Sequence, residues 1–359
     1  MRSRRARARS ATSSEVAISA GVAGVELAST AVRVVVGHRE SGRFRVTGVG
    51  RAAIPASAMS GGYIADRHAV GQALTSAFAG AEGTTRADKI VVAIDGDDIR
   101  TYHESTVFER EDQGAAVSPG EALKAIRLAR EAAAHAARDL AGDDPALRGV
   151  ATAALRDDIG GFVLDGRRLG SPVGDRGQKL EVRTDIALAP LVQAGGATAT
   201  IESARRRGTA TSGAYALGRL VAESGVAEAG VARLGADQTT VSIVRDGRVT
   251  GTRVFAVGSD ALVARRSDAD AGVWARCVVA TVRSLGLEEP GRWYLGGVPE
   301  GLAALPKALA AAASSERGSS VEVLPLRTSL VPRVVADASL TADDLVAAGA
   351  AALGAEAYS

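Results

Sequence analysis

The sequence predicts a mixed α/β fold made of two related halves facing each other across a cleft. Three observations predict it. Apolar alternation bounded by turn residues opens the chain as a meander of hairpins, helical periodicity follows, and the same order of patterns begins again near residue 230. With 359 residues, 46% of them hydrophobic, the chain can bury a sizeable core divided over more than one packed unit.

Strand patterns come first, at Glu15–Ser19, Gly24–Leu27 and Ala31–Gly37, then a Glu40-Ser41-Gly42 turn, the strand Phe44–Gly48 and an apolar run to Ile54. Helical periodicity covers Ala69–Ala81, a strand Lys89–Ile94 follows, and a long Ala-rich helix spans Pro119–Leu140. Ser118 with Glu121 forms a capping box at its start, ahead of a proline suited to the first helical position. The second half repeats the opening: strand Gly230–Leu234, polar loop Gly235-Ala236-Asp237-Gln238, strand Thr239–Arg245, turn Asp246-Gly247 and strand Arg248–Val257. Glu26-Leu27-Ala28 falls opposite Arg233-Leu234-Gly235 in this alignment. The interval from Gly258 to Trp293 has room for a loop, Ser259–Asp270, and one helix, Gly272–Leu285.

Composition excludes several functions. A formal net charge of +2 gives no nucleic-acid footprint. The single Cys277 cannot form an internal disulfide, and His38, His68, His103 and His135 lack metal-ligand spacing, which fits a reducing, cytoplasmic setting. No apolar stretch reaches the roughly 20 residues of a spanning helix. Met1–Ser14 carries Arg2, Arg4, Arg5, Arg7 and Arg9, reads as a disordered tail, and serves either as a solvated extension or as an electrostatic attachment to an anionic membrane face. The acidic groups Glu109, Glu111, Asp112 and Asp268, Asp270 read as solvated loops, and no Ser-His-Asp signature is present.

Several runs carry a family resemblance: Thr47-Gly48-Val49-Gly50, then Gly62-Tyr63-Ile64-Ala65-Asp66; Lys89–Gly96 and the helix from Gly120; and Leu164-Asp165-Gly166, Ser171-Pro172-Val173-Gly174, Gly177 and Lys179-Leu180-Glu181-Val182. Leu295-Gly296-Gly297 after Trp293-Tyr294, and the closing helix Leu345–Leu353, complete them. From about Glu15 to Gly354 the chain resembles FtsA of the actin-like superfamily, with PilM as a close relative. The resemblance implies a duplicated actin-like (ribonuclease-H-like) fold with an FtsA-type inserted SHS2 subdomain and a reduced second-half insertion. Residues 1–14 would be the basic tail, 15–86 the first part of domain 1, 87–177 the insert, 178–206 the return to domain 1, 207–338 domain 2 and 339–359 a helix returning to domain 1.

It also implies a cleft in which two hairpin loops turn backbone N–H groups toward ATP phosphates while acidic strand ends organise magnesium. The residues of this sequence at those places are Glu26 (which would also be the metal ligand), Ala28, Ser29 and Thr30 in the first loop, Arg233, Gly235, Asp237 and Thr239 in the second, and Gly296 and Gly297 on the adenosine side. Two depart from the pattern. Ala28 stands where the family has glycine, and Arg233 stands where it has aspartate; a guanidinium cannot ligate magnesium. Arg233 would then either contact phosphate or pair with Glu26 across the cleft, and both loops also read as plain hairpins without a ligand. The implied function is a non-metabolic scaffold of bacterial cell division docking FtsZ or another divisome protein. The alternatives are a PilM-like adaptor binding a peptide of a pilus-assembly membrane protein, and an actin-fold ATPase or kinase. Head-to-tail self-assembly and a site at the inner face of the plasma membrane belong to the same expectation.

Overall fold

The computed structural model describes residues 21–83, 86–265, 267–337 and 339–356. The Arg-rich segment and the strand expected at Glu15–Ser19 lie outside these residues.

The first half starts as a meander, β1 (Gly21–Ala28), β2 (Ala31–Glu40) and β3 (Arg43–Ala53), paired antiparallel. Ser41 and Gly42, at φ 47° and 78°, make the two-residue turn between β2 and β3. The short hairpin β4 (Met59–Ser60) and β5 (Tyr63–Ile64) leads to α1 (Arg67–Glu82), whose first turn is capped by Asp66 accepting from the Ala69 N–H at 3.0 Å. Helix α1 lies directly on β3. A Cβ at Gly48 or Gly50 would stand 1.8 Å from the carbonyl oxygen of Ala81 or Ala77, so the glycines set the helix-to-sheet distance.

Strand β6 (Ala87–Ile94) then runs parallel to β1. The chain leaves for a separate sheet made of β7 (Arg100–Glu109), β8 (Thr152–Leu164), β9 (Arg167–Leu169) and β10 (Lys179–Pro190), in the order β7-β10-β8-β9, with α2 (Pro119–Asp143) between β7 and β8. The capping box of Ser118 and Glu121 opens α2, and Ala122, Ile126 and Ala129 pack on Phe162, Leu180 and Val182. Helix α3 (Leu191–Ser203) and β11 (Thr209–Ser212), parallel to β6, bring the chain back, and α4 (Gly213–Ala222) follows.

The second half contains β12 (Glu228–Leu234), β13 (Thr239–Arg245) and β14 (Arg248–Phe255), then α5 (Ser259–Arg265), α6 (Asp268–Ser284), β15 (Arg292–Gly296), α7 (Leu305–Arg317) and β16 (Glu322–Pro325). Its sheet order, β14-β13-β12-β15-β16, repeats β3-β2-β1-β6-β11 of the first: an antiparallel meander continued by two parallel strands. Strand β17 (Val334–Ala336) adds to the edge of the first sheet beside β3, and α8 (Leu345–Gly354) closes the fold.

Helices α4 and α8 lie between the two sheets. Tyr215, Leu217 and Leu220 with Leu345, Val346 and Leu353 share one core with Val22, Val35 and Val91 of the first sheet and Val231, Val244 and Val249 of the second. Sheet membership corrects several sequence boundaries. Strand β6, expected in the insert, belongs to the first sheet, and β10, expected in the return, is a central strand of the insert sheet. Strands β11 and β17, expected in the second half, pair with the first sheet, and the loop expected over Ser259–Asp270 contains α5. The strand differences share one cause: β6, β10, β11 and β17 take partners distant in sequence, which local pattern does not encode.

Candidate functional site: the cleft between the two halves

Each half contributes one hairpin to the cleft. In the first, β1 and β2 pair Glu26 with Arg33 and end at Ala28 opposite Ala31, leaving Ser29 and Thr30 as the turn. In the second, Arg233 pairs with Thr240 and Leu234 with Thr239 around the loop Gly235–Gln238. Glu26 and Arg233 thus hold equivalent places near the strand ends, and they meet. Arg233 Nη1 lies 2.7 Å from Glu26 Oε1, and Arg33 Nη1 lies 3.2 Å from Glu26 Oε2. Glu26 is 3% and Arg233 8% exposed, so water screens little of this attraction. Burial works against the charge of Arg233, but Glu26 and Asp95 outweigh it and hold its pKa above the ordinary value.

The cleft encloses about 370 Å³ and is lined by Glu26, Ala28, Ser29, Thr30, Arg233, Gly235, Asp237 and Gly297 among the residues anticipated from sequence. A second contact crosses it: Asp237 Oδ2 accepts from the Gly61 N–H of the β4–β5 turn at 2.9 Å. Two anticipated residues are elsewhere. The Thr239 hydroxyl donates to the Val257 carbonyl at 2.6 Å and accepts from Trp274 Nε1 at 3.0 Å inside the second half, so Thr240 and not Thr239 faces the cleft. Gly296 is absent from the lining; a Cβ there would stand 2.9 Å from the Leu326 side chain.

The sequence reading missed Arg33, Asp95 and Asp343, which also line the cleft. Arg33 could have been found from hairpin register once Glu26 was placed. Asp95 follows the C-terminal end of a parallel strand, where such sheets commonly present functional groups. Its carboxylate accepts from the Ala214 N–H at 2.8 Å at the start of α4. Burial pushes the pKa of Asp95 up to about 6, with the Ala214 N–H lowering it and the negative charge of Glu26 raising it.

That shift predicts a pH dependence. The folded chain keeps this proton up to about pH 6 whereas the unfolded chain releases it near 3.8, so the group's stabilisation is full below the lower value and is lost as pH rises through the upper one. The loss is on the order of 3 kcal/mol for this fully buried group. Urea unfolding followed between about pH 4 and 7 should show a steeper downward slope in the wild type than in Asp95→Asn, which retains an acceptor for the helix, while Glu289 and Glu356, which burial also pushes up to about 7, contribute the same sign to both. An unchanged slope in the variant would assign the titration elsewhere.

Two sheets of the same strand order, with a hairpin from each meeting over a cleft, give the chain an actin-like fold. A chain described as the PilM-PilN type IV pilus biogenesis complex is 17% identical, with a TM-score of 0.54 and coverage of 94% of this chain and 99% of that chain. The ethanolamine utilization protein EutJ from Carboxydothermus hydrogenoformans is 13% identical, with a TM-score of 0.46 and coverage of 93% and 89%. A Bacteroides thetaiotaomicron protein with an actin-like ATPase fold and unknown function is 9% identical, with a TM-score of 0.42 and coverage of 88% and 94%. No protein-family model matches the sequence, and no curated protein matches it.

The cleft residues do not fit a magnesium nucleotide. Magnesium needs carboxylate oxygens free to face it, and both oxygens of Glu26 are already engaged, Oε2 accepting from Arg33 and Oε1 ion-paired with Arg233. Arg233 adds a fixed positive charge beside that carboxylate. Without the metal, a polyphosphate would meet Glu26, Asp95, Asp237 and Asp343 in a space whose two arginines are already committed or adjacent to Glu26. Among the described residues no cluster of three or more His, Cys, Asp or Glu side chains is placed to hold a metal ion, and no helix is long and apolar enough to cross a membrane.

Proposed function

We propose that this chain is a non-metabolic actin-like adaptor that docks a protein segment and turns over no nucleotide in its cleft. The observation that carries this reading is the 2.7 Å contact of Arg233 with Glu26, where phosphate and magnesium chemistry would need an open acidic site. The partner is a short peptide of a pilus-assembly membrane protein; likeness over 99% of a chain described as belonging to a PilM-PilN type IV pilus biogenesis complex supports the choice. The Arg-rich start of the sequence would add attraction to an anionic membrane surface near such a partner.

A second reading is an FtsA-type divisome scaffold docking the tail of FtsZ. The resemblance of the run from Asp165 to Val182 to the FtsA string favours it; in the structure Asp165 and Gly166 form the turn joining β8 to β9, and the Asp165 carboxylate accepts from the Gln178 and Lys179 N–H groups at 2.9 and 2.7 Å. The short span of α5 and α6 between β14 and β15 weighs against it, because it reduces the surface on which an FtsZ tail would dock.

The test measures two quantities on the purified chain. Thermal unfolding with millimolar Mg·ATP should leave Tm unchanged; a ligand at 100-fold its Kd would add about 2.7 kcal/mol and move the transition by several degrees. Fluorescence anisotropy with labelled peptides should detect the cytoplasmic segment of a pilus-assembly membrane protein and not the FtsZ tail. A Tm rise with Mg·ATP would overturn the nucleotide-independent reading, and binding of the FtsZ tail alone would replace the first partner by the second.

A further inference from the structure

We infer that the triad of Arg33 with the buried Glu26 and Arg233 is a latch built into the chain, holding the two halves of the cleft together in place of a bridging ligand, so that closure is constitutive. This deepens the adaptor reading and rests on it in one respect: no nucleotide competes for Glu26.

Glu26 and Arg33 sit on β1 and β2 of the first half, and Arg233 sits on β12 of the second, so the 2.7 Å contact joins two separate sheets. All three stand on paired strands, which fix their backbones: Glu26 opposite Arg33, Arg233 opposite Thr240. The attraction acts where solvent is scarce, and opening the cleft would part a carboxylate from one of the two guanidinium groups that compensate it. The bond from Gly61 N–H to Asp237 closes a second point across the same gap. That turn is seated closely on its own half: Gly61 and Gly62 have φ of 57° and 83°, and a Cβ at Gly62 would lie 1.8 Å from the Asp95 carbonyl oxygen, which fixes the place from which the Gly61 N–H is presented. A chain whose cleft opened and closed around a ligand would gain nothing from burying a cation of its own at the strand end.

The experiment measures the distance between spin labels on the two halves, at Arg39→Cys and Ser315→Cys in a Cys277→Ser background, by double electron–electron resonance. The wild-type triad should give one narrow distribution, unchanged by Mg·ATP. Arg233→Ala should broaden it and shift it to longer distances, and Arg233→Lys, which keeps a charge at the site, should restore much of the narrow component. If Arg233→Ala fails to fold, Glu26→Gln removes the negative charge at constant shape and should broaden the distribution in the same way. A folded variant with the wild-type distribution would overturn the latch. Further closure of the wild type by Mg·ATP would instead overturn the nucleotide-independent reading, while the comparison of variants without nucleotide would still decide the latch.

Discussion

Arg233→Ala is expected to lower the unfolding free energy by roughly 3–5 kcal/mol, the usual cost of removing one partner from a buried ion pair. Glu26 is the reason. It is 3% exposed, and the substitution leaves its Oε1 without the guanidinium that contacts it at 2.7 Å. Arg33, at 3.2 Å and more exposed, compensates the charge only in part, so Arg33→Ala should cost less than Arg233→Ala. Replacing the whole triad, with Glu26→Leu, Arg33→Met and Arg233→Met together, should leave stability near or above the wild type, because the burial of the Glu26 and Arg233 charges disappears with their attraction. Urea midpoints at a common m-value measure all three variants. If Arg233→Ala proves neutral, the pair is solvated and the attraction described above is screened; if the triple variant is as unstable as the single one, packing and not charge holds this part of the cleft.

The pairing itself shows how much of the site could be read from sequence. Aligning Glu26-Leu27-Ala28 with Arg233-Leu234-Gly235 needed only strand patterns and turns, and the fold sets those segments at equivalent places in two sheets of the same order. The turns were legible because their chemistry is local: Ser41-Gly42 and Asp246-Gly247 occupy positive φ, where serine and aspartate are tolerated and glycine is unstrained. The capping box of Ser118 and Glu121 is local in the same sense.

What the sequence withheld depends on parity and distant pairing. Thr239 and Thr240 are adjacent and chemically identical, yet successive residues of a strand face opposite sides, and only the register decides which of them meets the cleft. Asp95 reaches the site because β6 pairs parallel to β1, a pairing across the whole of the first meander and α1. Lys179-Leu180-Glu181-Val182 was legible only as a motif in a segment assigned to the return to domain 1, and its membership in the insert sheet follows from pairing with both β7 and β8.

Trp274→Ala should produce the other large effect, a loss of roughly 3–5 kcal/mol as expected for deleting a buried aromatic side chain. Trp274, on α6, is fully buried in the core of the second half with Val241, Ile243 and Trp293. Its Nε1–H also donates to Thr239 Oγ1 at 3.0 Å, and that hydroxyl donates to the Val257 carbonyl at 2.6 Å. The indole therefore fixes the first residue of β13, next to the loop that carries Asp237 and Gln238 to the cleft. Trp274→Phe separates the two contributions: most apolar contact remains and one hydrogen bond is lost, at a cost of about 1 kcal/mol. Because Thr239 keeps its bond to Val257, no buried donor is stranded by that milder change. Hydrogen exchange should then tell packing from positioning. Faster exchange at Thr239–Val241 in Trp274→Ala, with near wild-type rates in Trp274→Phe, would mean that the mass of the ring anchors the hairpin; equal acceleration in both would place that role on the single Nε1–H bond, and protection in both would detach the cleft's second wall from the core beneath it.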